Sequence, residues 1–115
     1  MSELDQPIER IRAFRDARGW MQFHNPKNLA CSISIEAAEL LEHFQWKTPE
    51  ESAEYAIRRS DDLAEEIADI SIYLIEMADN LGIDLLAAIN RKLDINEVKY
   101  PIEKAKGSAT KYDQL

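Results

Sequence analysis

The chain has 115 residues, 45% hydrophobic and 31% charged, with a formal net charge of −8. That length suits one domain with one core. The acidic balance argues against binding nucleic acid, which depends on neutralising phosphates, and no apolar run approaches the roughly 20 residues that span a bilayer.

The N-terminal stretch MSELDQPIER is charged and has no apolar h-region, so no signal peptide is expected. The single cysteine, Cys31, cannot form an internal disulfide and fits a reducing compartment, so the expected location is the cytoplasm.

Four helices are predicted in an all-α fold. The first runs from about Leu4 to Arg18 and ends at Gly19. A loop, WMQFHNP, leads to a second helix from about Lys27 to Gln45, and Thr48-Pro49 marks the break after it. Residues 50 to 57 read equally as a short helix or a linker. The third helix runs from about Ser60 to Leu81, with Ser60 as N-cap, Asp61 and Asp62 in the first turn and Gly82 beyond the end. The fourth runs from about Leu85 to Lys99, capped by Asp84 and stopped by Pro101. The domain is thus a single unit over 1–115, with a helical core at about 4–99 and an irregular basic tail at 100–115.

Leu63, Ile67, Ile70, Leu74, Met77 and Leu81 step by 4, 3, 4, 3, 4, the spacing of a helix–helix seam. The second and third helices carry more apolar surface than one seam uses, which points to a second copy as partner.

Carboxylates interrupt these apolar faces. With Leu29 at zero on a helical wheel, Glu36 lies only about 20° away, inside the stripe, and Glu39 about 60° further round. With Leu63 at zero, Glu66 lies about 60° and Asp69 about 120° to one side, with Tyr73 between them. Glu36-x-x-Glu39 and Glu66-x-x-Asp69 each put two carboxylates on one helical face. Antiparallel packing through those faces gathers four negative charges. Such a cluster must take up protons or hold cations, and hard oxygen ligands suit Mg²⁺ or Mn²⁺. A single ExxE is ordinary on a solvated helix; two on adjacent apolar helices are not. Iron is less suited, because the Glu-x-x-His motifs of di-iron bundles are absent.

The two motifs, with 26 residues between Glu39 and Glu66, resemble the MazG-type all-α nucleoside triphosphate pyrophosphohydrolases. The stretches WMQFHNPKNLA, EAAELLEHFQW, EEIADISIYL, KLDINEVKYP and GSATKY are similar, in order, to the dCTP pyrophosphatase branch, from Trp20 to Tyr112. The resemblance implies a four-helix bundle assembling as a homodimer or homotetramer, with pockets between subunits. It also implies Mg²⁺-dependent hydrolysis of a nucleoside triphosphate to the monophosphate and pyrophosphate, in a role of nucleotide-pool cleansing. Carried over by position, Glu36, Glu39, Glu66 and Asp69 hold the metal, with Glu39 the candidate to position or deprotonate water. Trp20, His24, Trp46 and Tyr73 build the nucleotide pocket, and Lys92 and Asn96 reach the phosphates or sugar. Taken without the family, the tryptophans read as core or interface, His24 as a turn residue and the lysines as solvated. A related dUTP or dATP diphosphatase and a non-catalytic helical dimerisation module with a structural cation site remain the alternatives.

Overall fold

A computed structural model describes residues 2–115. Among them are six α-helices and no strand: α1 (Asp5–Ala17), α2 (Pro26–Glu42), α3 (Pro49–Arg58), α4 (Ser60–Asn80), α5 (Leu85–Lys99) and α6 (Ile102–Ala105). Short 3₁₀ turns occupy Met21–Phe23 and Tyr112–Gln114. The fold is all-α as expected, but the count of four helices is corrected to six.

The extra helices have local causes. Thr48-Pro49 does not only end what precedes it; it starts α3. The Thr48 side chain accepts the Glu51 amide at 3.1 Å, and the Glu51 carboxylate accepts the Thr48 amide at 3.1 Å. This capping box, with Pro49 in the first turn, converts the ambiguous stretch into a helix. α6 is a single turn after Pro101, inside the tail read as irregular. α2 stops at Glu42, three residues short of the expected end, and residues 43–46 form turns. Ser60 is not the cap of α4 but its first helical residue. Arg59 takes the junction at φ −114°, with its guanidinium on Asp62 at 2.7 Å. Asp84 caps α5 as expected, accepting the Ala87 amide at 3.1 Å. Gly19 and Gly82, at φ 65° and 70°, follow α1 and α4 in the left-handed region that glycine enters freely.

The chain divides into two compact units, Met1–Gly82 and Ile83–Leu115. In the first, α4 is the central element: α2 packs along it, and α1 and α3 also pack on it. Leu29 on α2, 1% exposed, is the most buried apolar side chain, and Leu63 and Ala78 on α4 are also buried. The predicted seam on α4 splits into two rows. Leu63, Ile70 and Met77 are covered or half-covered, whereas Ile67, Leu74 and Leu81 are exposed in the single chain. The second unit contains α5 and α6. Tyr100 meets Tyr112 edge-on at 6.0 Å, and the Lys99 ammonium lies 4.6 Å from the Tyr112 ring centre. No helix among the described residues is long and apolar enough to cross a membrane.

Candidate metal and substrate site

The packing of α2 on α4 brings three carboxylates together. Glu36, Glu39 and Glu66 each offer an oxygen within 4.8 Å of the others. All three are half-buried, and one oxygen each of Glu36 and Glu66 is sealed from solvent with no hydrogen-bond partner. Burial pushes the Glu36 carboxyl up from its ordinary range. The adjoining Glu39, by a shared proton and by its charge, and then the charges of Asp69 and Glu66, push the same way. Asp69 lies outside the trio and is more exposed, close enough for its charge to act on Glu36.

Orphaned buried carboxylate oxygens are costly unless something satisfies them. Among the described residues no basic side chain pairs with Glu36 or Glu39. A set of hard oxygen donors with unmet lone pairs fits a divalent cation of the Mg²⁺ or Mn²⁺ type. His43, in the turn after α2, stands beside the trio. Its Nε2 is 3.6 Å from Glu66, and its Nδ1 is 2.6 Å from the Tyr55 hydroxyl of α3. Tyr55 lies in the stretch left ambiguous by sequence, so no pattern pointed to this support.

A cavity of about 650 Å³ adjoins the cluster, with Glu36 and Asp69 in its wall. Trp20, His24 and Tyr73 also line it. Their rings form a run: Trp20 to His24 at 6.3 Å, and His24 to Tyr73 at 6.4 Å. Phe14 of α1 extends it, edge-on to Trp20 at 5.7 Å. Asn25 positions His24 by capping α2, its side chain accepting the Asn28 amide at 2.9 Å.

Trp46 stands apart from this cavity. It lies in the turn after α2 and is 88% exposed. Lys92 and Asn96 are on α5, in the second unit.

Two buried charged residues in the cavity wall escaped the sequence reading, Arg15 and Glu76. Arg15 donates to Asn80 at 3.0 Å and to Asp16 at 2.8 Å, and Glu76 receives His24 Nδ1 at 2.7 Å. Nearby, Arg12 grips Asp79 through Nε and Nη2, holding that carboxyl below its ordinary range and tying α1 to α4. A signal for Glu76 did exist: Asp69, Tyr73, Glu76 and Asn80 step by 4, 3, 4 along one helical face.

Comparison with known proteins shows the family of the chain. The MazG-like family model matches residues 31–115. dCTP pyrophosphatase 1 of Bos taurus is 42% identical over 113 residues, covering 96% of this chain and 67% of that protein. The Homo sapiens protein of the same name is 40% identical, covering 96% and 66%. The chain thus spans about two thirds of the length of these curated relatives. A pyrophosphatase crystal structure from Archaeoglobus fulgidus superposes with a TM-score of 0.83 at 47% identity, covering 88% of this chain and 94% of that one. The chain belongs to the MazG-like family.

Proposed function

We propose that this chain is a divalent-cation-dependent nucleoside triphosphate pyrophosphohydrolase, acting first on dCTP-like substrates or a modified dNTP, in a nucleotide-cleansing role. The observation that carries the reading is the carboxylate trio, with its two orphaned oxygens, beside an aromatic cavity that its member Glu36 lines. The names of the relatives, dCTP pyrophosphatase and pyrophosphatase, support it.

In this reading Glu36, Glu39, Glu66 and Asp69 hold Mg²⁺, with Mn²⁺ able to replace it. Bound there, the cation supplies charge neutralisation for phosphate oxygens and makes water more acidic. The acidic wall then admits a triphosphate that it would otherwise repel. Glu39 positions the attacking water and accepts its proton. Attack in line at the α-phosphorus gives the monophosphate and pyrophosphate. The Trp20–His24–Tyr73 run holds the nucleoside and keeps water from its apolar side.

The exposed row Ile67, Leu74 and Leu81 supports a homodimer or homotetramer. Trp46, Lys92 and Asn96 are the remaining proposed substrate-binding residues. The exposed thiol of Cys31 suits a reducing compartment, and the cytoplasm is the proposed location.

The test is pyrophosphate release from a panel of dNTPs and NTPs, including 5-methylated and oxidised bases, with and without Mg²⁺. Metal-dependent release led by dCTP-like substrates is the expected result. Release led by dUTP or dATP keeps the reaction and changes the base. Silence across the panel from a folded oligomer leaves the dimerisation module as the better reading.

A further inference from the structure

Glu76 is 3% exposed, the most buried charged residue among those described, and it has no part in the metal cluster. It sits in the cavity wall two turns beyond Asp69. A buried carboxylate is retained only where donors satisfy it. Here the donors are few. His24 Nδ1 lies 2.7 Å from Oε2, and the Asn80 amide donates to the same oxygen at 3.4 Å. Arg15 is the neighbouring cation, and it spends its hydrogen bonds on Asn80 and Asp16. The short contact is therefore with His24.

An ionised carboxylate only accepts hydrogen bonds, so the proton between the pair belongs on Nδ1 of the imidazole. That leaves Nε2 as the ring nitrogen available to a ligand. Turning the ring over would put the Cδ2–H edge in place of Nδ1–H and cost the carboxylate this hydrogen bond. Trp20 and Tyr73 are aromatic neighbours of the ring, at 6.3 and 6.4 Å between centroids. His24 is thus held in rotation by a charge and in tilt by two aromatic neighbours.

We propose that Glu76 is a positioning residue that acts through His24, fixing the Nδ1–H form so that Nε2 meets the nucleoside part of the substrate. This rests on the functional reading above. At metal sites carboxylate–histidine pairs fix the tautomer by this device, and loss of the partner there costs roughly 10–100-fold in affinity or activity. The run Trp20–His24–Tyr73 holds the nucleoside rather than the reacting phosphorus, so the loss belongs in KM, with kcat little changed.

Two measurements on the full chain test it. The first is the nitrogen spectrum of the chain labelled with ¹⁵N-histidine. There are two histidines, His24 and His43, and a His43→Gln variant assigns them. The expected result is a protonated Nδ1 on His24; an unprotonated Nδ1 overturns the proposal, and no change at position 76 is needed to see it. The second is a double-mutant cycle with Glu76→Gln and His24→Gln, using dCTP and Mg²⁺. Glu76→Gln should raise KM roughly 10–100-fold alone and add no further loss to His24→Gln. Independent, additive losses, or a loss confined to kcat, give Glu76 a merely structural role and overturn the proposal. A wild type that turns over no nucleotide overturns the functional reading instead, and the spectrum still decides the Nδ1 assignment by itself.

Discussion

Glu39→Ala is expected to lower pyrophosphate release by about 10²–10⁴-fold, the range for a lost general base, while leaving the helical content and oligomeric state unchanged. The side chain is half-buried and lies among like charges, not in an apolar contact. Its removal opens little of the core, whose most buried apolar side chain is Leu29. It also removes one of the repulsions acting on Glu36. The fold therefore has no reason to fail with the chemistry. Steady-state turnover beside circular dichroism and sedimentation separates the two. Turnover at the wild-type rate removes Glu39 from the mechanism.

Glu36→Gln should have opposite effects on the metal-free and metal-bound protein. In the metal-free chain the Glu36 carboxyl titrates above its ordinary range, because burial and then Glu39, Asp69 and Glu66 disfavour its charge. A group raised in this way contributes stability below its unfolded pKa, and that contribution is lost as pH rises through the folded value. The metal-free variant should therefore melt higher than the wild type near neutrality. The gap should close as pH falls toward the ordinary carboxylate range. With Mg²⁺ the order reverses in response. The wild type gains stability by mass action, about 2.7 kcal/mol at a hundredfold excess over Kd, and the variant gains far less. Calorimetric melting across pH, with chelator or with Mg²⁺, checks both halves. A variant that melts lower without metal, or responds to Mg²⁺ as the wild type does, removes Glu36 from the cluster. Such a trade of stability for function is common at sites that gather like charges.

Much of the fold was legible because its signals are local. α5 begins and ends where Asp84 and Pro101 place it, and Gly19 and Gly82 close α1 and α4. The carboxylate trio was legible because three-residue spacing and an interrupted apolar stripe are both readable on a helical wheel. α3 was not, although Thr48 and Glu51 carry a capping box. A Thr-Pro pair ends one element and begins another with the same residues, and the predicted break after α2 is only the first of these senses. The seam on α4 was right in spacing but not in burial: a wheel gives direction, not which neighbour arrives. Glu76 lay on the same face as Asp69 and Tyr73, but a lone glutamate has no partner until folding brings His24 to it from 52 residues away. Trp46 shows the opposite case. Its aromatic ring suggested a pocket or core, and the single chain leaves it in solvent.

The most direct test of the central claim compares pyrophosphate release from dCTP by the wild type and by a variant with Glu36, Glu39, Glu66 and Asp69 all changed to alanine. Each is assayed with Mg²⁺ and with chelator, once shown to be folded. The account predicts release from the wild type with Mg²⁺ alone and background in the other three assays. Release that survives chelation of the metal, or survives loss of the four carboxylates, would contradict it.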